Sequence, residues 1–258
     1  GEVLPGVLLF ANYAQGFRAP TPMQVNNYFE NLAFGYSSAP NPDLGPERST
    51  SWEAGLRYFD DNAKLSLAVF RADYDDFIDQ QVVGGSFTPS DPAIYQFVNL
   101  DDVQVEGIEA KSSYAFEGGI TLRAAAAYAT GDVIDPTGGK LPLASIDPFE
   151  LVAGIGWTAP DGGAGVELSA IYNARKSLDE TTGTCAAECF RPDSFTVLDL
   201  TAFYNVTDAL KLRAGVFNIF DESYAYWSDV RGLAATSTIT EAYTRPGRNA
   251  SVSLSFAF

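Results

Sequence analysis

The chain has 258 residues with no histidine, two cysteines and one methionine, against 33 Asp and Glu and 16 Lys and Arg. That inventory limits the available chemistry. A Ser-His-Asp relay or a Cys-His couple needs an imidazole, so neither can be assembled. A Cys-rich zinc site needs more soft ligands than Cys185 and Cys189 supply. These two, separated by Ala186, Ala187 and Glu188, suit a disulfide formed in an oxidising compartment, with two free thiols as the alternative. Asp75-Asp76 and Asp101-Asp102 are adjacent acidic pairs, suited equally to solvation and to a hard cation. No motif positions a carboxylate pair for acid–base catalysis. The formal charge of −17 opposes nucleic-acid binding, which relies on clustered Lys and Arg. What remains is an aromatic-rich, charge-poor composition: aromatics make up 13% and charged residues only 19%.

The elements that must carry these residues show a period of two. Trp52, Ala54, Leu56 and Tyr58 share one face, opposite Ser51, Glu53, Gly55 and Arg57. The same alternation runs through Leu65, Leu67 and Val69; Ile108 to Tyr114; Ile120 to Tyr128; Val166 to Tyr172; Leu198 to Tyr204; and Leu210 to Val216. Fainter segments near 7–15, 146–158 and 246–258 bring the expected total to about ten strands, each about ten residues long, the length a tilted strand needs to cross a bilayer. No run of about 18 apolar residues exists, so a transmembrane helix is not expected.

The connectors alternate. Short turns are expected at Asp60-Asp61-Asn62, Glu117-Gly118-Gly119, Pro160 to Gly163 and Thr207-Asp208-Ala209, and long loops at about 17–48, 81–93, 131–145, 177–193 and 221–244. Short periplasmic turns and long extracellular loops belong to an all-β, antiparallel transmembrane barrel, here a portion of about ten strands. A soluble sandwich also alternates, but packs its apolar face on a second sheet. In a barrel the apolar face meets lipid. Glu53, Arg57, Glu109, Lys111, Arg123, Glu167, Arg175, Lys211 and Arg213 would then face the lumen, either as a hydrated polar wall or as a surface for a plug.

Seven motifs carry a family resemblance. Tyr13 to Thr21 (YAQGFRAPT) resembles the FRAP box of TonB-dependent receptors, and Asn41 to Glu47 (NPDLGPE) the NPNL-type box after it, with Asp43 in place of the second Asn. Ser49 to Tyr58, Tyr74 to Ile78, Val105 to Glu109, Asn218 to Tyr224 (NIFDESY) and Arg245-Pro246-Gly247-Arg248 follow in the family's order. With Gln24 to Asn31 lying between the first two boxes, the chain is most similar to the haem/haemoglobin/transferrin receptor branch.

The resemblance implies an outer-membrane receptor of a Gram-negative bacterium, built as a barrel of about 22 strands around a plug. Against that pattern residues 1–258 are expected to be the C-terminal part of the barrel, without plug, early strands or the segment that contacts TonB. It also implies active transport rather than catalysis: uptake of haem or iron from a carrier protein, energised through the TonB complex, with no permanently bound cofactor and with haem or a ferric chelate as the transported ligand. The alternatives are a ferric-siderophore or other nutrient receptor, an outer-membrane enzyme, and a structural barrel. Outer-membrane lipid and the barrel-assembly machinery are further expected partners. Phe258, ending the alternating strand from Ser251, resembles the terminal aromatic that this machinery reads.

The haem-ligating His that this branch carries between the two boxes has no counterpart here. Tyr28 and Tyr36 lie in that loop, and a phenolate can ligate haem iron; both also suit local packing or contact with a protein. Met23 is in the same loop, as a soft ligand or a gap-filler. Phe17, Arg18, Tyr28, Tyr36 and Asn41 are the substrate-binding candidates. Beside that reading, Pro20 and Pro22 end a strand by removing ladder donors, Arg18 suits a carboxylate partner, and Asn41-Pro42-Asp43 is turn chemistry.

Overall fold

A computed structural model of the chain describes residues 1–86, 88–100, 102–134, 137–185 and 187–257. Its strands are β1 (Glu2–Leu4), β2 (Val7–Arg18), β3 (Phe29–Asn31), β4 (Tyr36–Ser38), β5 (Glu47–Phe59), β6 (Ala63–Asp75), β7 (Ile78–Gly84), β8 (Ala93–Asn99), β9 (Asp102–Ala115), β10 (Ile120–Ile134), β11 (Lys140–Pro142), β12 (Glu150–Thr158), β13 (Ala164–Asn173), β14 (Phe195–Thr207), β15 (Leu210–Phe217) and β16 (Asn249–Phe256). Short helices α1 (Pro22–Val25) and α2 (Trp227–Val230) lie in loops. No described helix is long and apolar enough to cross a membrane.

The main sheet is antiparallel in the order β1-β2-β5-β6-β9-β10-β12-β13-β14-β15-β16, with β11 added beside β10. The ten long strands coincide with the ten expected segments. The short turns after β5, β9, β12 and β14 lie at one end and the long connections at the other. At the sheet's two ends β1 and β16 are exposed along their whole length.

Register fixes the faces. Because cross-strand partners point the same way, Tyr13 on β2, Trp52 on β5 and Arg71 on β6 share a side, and so do Leu9, Leu56, Leu67 and Ala110. Followed round the sheet, this outer side carries Tyr58, Tyr114, Trp157, Tyr204 and Phe256 near the short turns and Tyr13, Trp52, Tyr128 and Tyr172 near the long loops. Leu, Ala, Val and Ile fill the space between, with Ser112 the polar exception. Among the described residues no charged side chain interrupts this band. Leu9, Leu65, Val69, Leu122, Ile155 and Leu254 are all exposed. An exposed apolar band between two aromatic rows matches a lipid-facing barrel wall. The rows are also anchored: Trp157 Nε1 donates to the Gly118 carbonyl at 3.1 Å, and the Tyr13 and Trp52 rings lie 4.4 Å apart. At the upper row the same face begins to turn polar: Arg71, level with Tyr13 and Trp52, pairs with Asp73 above it at 2.7 Å. There the strands leave the apolar band.

The opposite face carries the charge. Arg123 meets Glu167 at 2.6 Å, Asn12 donates to Glu53 at 3.0 Å, Arg213 donates to Ser255 at 3.0 Å, and Lys111 lies 3.5 Å from Glu109. Glycines on this face receive aromatic rings from neighbouring strands. A Cβ at Gly107 would stand 2.6 Å from both the Phe70 ring and the Tyr128 carbonyl, and Gly55 receives Phe10 in the same way. Covering a bare strand backbone with a ring shields its hydrogen bonds and pins register. Arg175 differs from expectation. β13 ends at Asn173, so Arg175 has left the wall and pairs with Asp193 in the next loop at 2.8 Å.

The periodicity missed a second sheet. β3, β4, β8 and β7 form a four-stranded sheet above the barrel wall, with β4 and β8 parallel. The connections 19–46, 76–86 and 88–100 therefore carry strands and paired loops, and the loop expected at 81–93 begins inside β7, which runs to Gly84, and ends at the start of β8. These strands are short, and the parallel β4–β8 pairing that joins the two local hairpins links residues 57 apart in sequence, so no local pattern announces it.

Candidate functional site

The family-like motifs converge on the joints where loops leave the barrel. The Glu47 carboxylate, 10% exposed, accepts from Arg18 Nε at 2.6 Å and Nη2 at 2.7 Å, and from the Ile78 backbone N–H at 3.0 Å. One side chain thus ties the end of β2, the start of β5 and the start of β7. A second joint uses Asn99. Its Oδ1 accepts from the Gly45 N–H at 2.7 Å, and its Nδ2 donates to the Gly45 and Asp76 carbonyls. Asp76 sits at φ 57°, a left-handed conformation that Asp tolerates better than most residues. A third joint closes the last loop. The Asn218 N–H donates to Asp199 Oδ1 at 2.8 Å, and its buried side chain bonds both ways with Glu222 and donates to the Pro246 carbonyl. The Arg248 N–H donates to Asp221 Oδ1 at 2.7 Å. Asn218 and Asp221 also have positive φ, at 52° and 60°.

The sequence-predicted candidates separate at these joints. Arg18 faces inward and is bound to Glu47. Phe17 points to the outer face at the register position of Arg48 and is 67% exposed. Asn41 Nδ2 donates to the Phe97 carbonyl at 2.8 Å and its Oδ1 caps the Asp43 N–H at 3.2 Å, so it braces the loop. Tyr36 packs in the upper sheet against Phe29 and Tyr95, and its hydroxyl accepts from Asn31 at 2.9 Å. Tyr28 is 66% exposed, and a hydrogen bond to the neighbouring Glu30 carboxylate, helped by its charge, raises the phenol above the usual tyrosine range. Met23, Phe29, Leu32 and Phe34 of the same connection are also exposed. The two tyrosines therefore share a loop without sharing a pocket. Asp75 ends β6, whereas Asp101 and Phe258 lie outside the described residues.

Three other long loops knit into a cap whose buried residues are Leu143, Cys189, Ala225, Trp227 and Val230, with Phe195 and Val197 of β14 buried at the top of the wall. Trp227 Nε1 donates to the Ala144 carbonyl at 2.6 Å. Cys185 and Cys189 are joined by a disulfide, and this short ring is stitched to the last loop by Phe190 N–H to Leu233 O and Ala235 N–H to Glu188 O. Lys176, 3% exposed at its side chain, donates to the Ile146 carbonyl at 2.7 Å and lies 3.6 Å from Glu180. Burial lowers the Lys176 pKa, opposed by Glu180. Burial pushes Glu180 upward, but hydrogen bonds from Ser177 and the Lys176 charge leave it below the usual range. Tyr224, Tyr226 and Phe195 stack together, with Arg245 over the Tyr226 ring and bound to Asp229 at 2.7 Å. Burial raises both phenols. Sequence reasoning missed this cap. Trp227, in a loop rather than at a strand end, was the one signal that could have pointed to it.

Comparison with known proteins agrees with this geometry. Residues 2–219 match the family model described as "TonB dependent receptor-like, beta-barrel". The chain is 27% identical to the hemoglobin and hemoglobin-haptoglobin-binding protein A of Haemophilus influenzae, over 97% of this chain and 25% of that protein. It is 25% identical to the transferrin-binding protein A of Neisseria meningitidis serogroup B, over 94% of this chain and 30% of the relative. The chain therefore spans a quarter to a third of these relatives' lengths. Among solved structures it resembles the copper transporter OprC (TM-score 0.75, 23% identity, 98% of this chain and 37% of that one). It also resembles the ferric enterobactin receptor of Pseudomonas aeruginosa (TM-score 0.71, 23% identity, 100% and 39%). With a family model matching most of its length and an outer wall built for lipid, the chain belongs to the TonB-dependent receptor β-barrel family and is an outer-membrane protein.

Proposed function

We propose that this barrel wall and its loops serve an outer-membrane receptor that takes up haem, or iron released from a carrier protein, with energy delivered through the TonB complex. The observation that carries this reading is the continuous similarity, over 93 to 97% of the chain, to receptors named for haemoglobin, haptoglobin and transferrin. The loops are suited to a protein ligand. The upper sheet offers a braced ledge with Met23, Tyr28, Phe29, Leu32 and Phe34 exposed, and exposed clustered apolar side chains are a common signature of docking surfaces. Of the tyrosines, Tyr28 is the more accessible to iron, because Tyr36 is packed in the upper sheet, and ligation would have to replace the hydrogen bond of the Tyr28 phenol to Glu30. The cargo is carried rather than chemically converted, and this chain, having no histidine, supplies no Ser-His-Asp relay of its own.

A second reading, uptake of a ferric siderophore, is favoured by one observation: the chain has no histidine to ligate haem. The test uses the protein expressed from its complete reading frame in a strain that depends on exogenous haem. Growth on haemoglobin, together with a haem absorption change that Tyr28→Phe diminishes, supports the first reading. Siderophore uptake without any spectral response to haem would sink it and leave the second.

A further inference from the structure

The upper sheet ends in two unlike edges, β3 on one side and β7 on the other. β3 has only three residues. β7 runs for seven, and its residues 80–83 are exposed, whereas β8 beside it has no exposed residue. The hydrogen bonding of β7 follows from its start. The Leu100 N–H donates to the Phe77 carbonyl, and an antiparallel ladder alternates from there. Asp79 and Gln81 therefore bond to β8, while Ile78, Gln80 and Val82 turn their N–H and C=O groups away from it. The Ile78 N–H is taken by Glu47. The outward backbone groups of Gln80 and Val82 have no partner among the described residues.

An open edge is a template for another strand, and natural sheets blunt it with Lys, Pro or a bulge. β7 has neither Lys nor Pro. Its bulge lies at the far end, between Val82 and Gly84, and leaves Ile78 to Val82 regular. Val82 and Val83, 43% and 50% exposed, point to opposite faces, so an added strand finds an apolar contact on either side. Charge identifies the guest. Segments 19–46 and 76–100, from which the upper sheet is drawn, contain Glu30, Asp43, Asp76, Asp79 and Asp91 and neither Lys nor Arg. None of these five carboxylates forms an ion pair among the described residues. Asp79 stands on β7 itself, where it accepts from Gln81 at 2.9 Å. A second copy of this chain is a poor guest, since it would bring the same unpaired carboxylates to the edge.

We propose that β7 accepts an extended, positively charged segment of a partner protein as an added antiparallel strand, bonded to the backbone of Gln80 and Val82. A Lys or Arg lies opposite Asp79, and β-branched side chains lie opposite Val82 and Val83. Antiparallel addition gives the more stable ladder per residue. Main-chain bonds supply the affinity and the side-chain positions the selectivity. β7 lies across the sheet from the ledge at Tyr28, and the proposal stands whichever iron source the receptor uses.

The test uses the detergent-purified protein, expressed from its complete reading frame, and the peptide acetyl-Lys-Val-Val-Thr-Thr-Lys-Thr-amide. Paired antiparallel, its valines lie opposite Val83 and Val82 and its second Lys opposite Asp79. Calorimetry should show saturable binding. At ten times Kd, exchange of the Gln80 and Val82 amides should slow about tenfold, the factor that occupancy alone gives. Replacing both Lys by Glu should weaken binding about tenfold or more. N-methylation of the two peptide amides that face Gln80 and Val82 should abolish binding, whereas N-methylation of the two that face away should not. Gln80→Pro removes a donor that faces only the guest, so β7 should stay paired with β8 while binding weakens roughly fivefold. No saturable binding below about 1 mM, equal binding of the Glu peptide, or indifference to the position of the N-methyl groups would overturn the proposal. So would exchange at Gln80 and Val82 as slow in the free receptor as at Asp79 and Gln81, because the receptor itself would then already cover the edge. These readings need no variant, so misfolding of Gln80→Pro would not remove the test.

Discussion

Replacing Glu47 with Ala should loosen two loops at once while leaving the barrel wall intact. The carboxylate holds the Arg18 guanidinium in two bonds and the Ile78 N–H in a third. Arg18 is 45% exposed, so water can re-solvate it, and the ion pair itself contributes only about 0–1 kcal/mol. The Ile78 amide is different. Ile78 is buried at 5% exposure, and an orphaned buried N–H costs about 1–3 kcal/mol. Together the loss comes to roughly 2 kcal/mol, confined to the joint. At 1.4 kcal/mol per factor of ten, amide exchange at Ile78 and along β7 should accelerate about 30-fold. Hydrogen exchange read by mass spectrometry on outer-membrane vesicles measures this directly. Glu47→Gln keeps an oxygen for Ile78 and should recover part of the protection. The reasoning is refuted if exchange at β7 is unchanged, or if residues 174–185 and 187–194 accelerate equally, since none of these described residues bonds to Glu47.

The outer band predicts a face-dependent cost: Leu67→Arg should destabilise the barrel by about 2–4 kcal/mol in lipid, and Ser66→Arg on the inner wall by less than about 1, compared by urea unfolding in vesicles. Gly107→Val should force Phe70 off the strand and cost about 1–3 kcal/mol, visible as a lower temperature for loss of the compact band on unheated gels. Reducing the Cys185–Cys189 disulfide should release about 2 kcal/mol of loop order by the chain-entropy relation for so short a ring. Proteolysis should then cut 174–194 faster, with the barrel core still resistant. Glu180 has a depressed folded pKa, so its stabilisation is full above its unfolded value of about 4.3 and is lost as pH falls through the folded value. Emission from Trp227, with Trp52 and Trp157 replaced by Phe, should therefore report cap loosening below about pH 4.3, and Glu180→Gln should flatten that change.

The long strands were legible because each records its surroundings every second residue. Leu65, Leu67 and Val69 face lipid while Lys64 and Ser66 face the lumen, and a one-residue slip would reverse both. The loop ends were half-legible. The boxes around Arg18, Asn41 and Asn218 stood out as motifs, but their residue types fit ligand contact and loop bracing equally well. Only the positions of Glu47, Asn99 and Asp199 show bracing at these joints. Arg175 misled because alternation continues for two residues beyond the point where β13 stops pairing.

By itself the sequence determined the wall: about ten tilted strands, their faces, and the alternation of short and long connectors, because lipid on one side and water on the other impose a local period of two. Tertiary structure decided what lies above the wall. The parallel pairing of Tyr36–Ser38 with Ala93–Tyr95, the cap closed by Trp227 on Ala144, and the row that lines up Glu109, Glu150 and Asn173 across the wall all join residues far apart in the chain. Such contacts leave no periodic trace, since each depends on where two loops end in space rather than on which residues are neighbours in sequence.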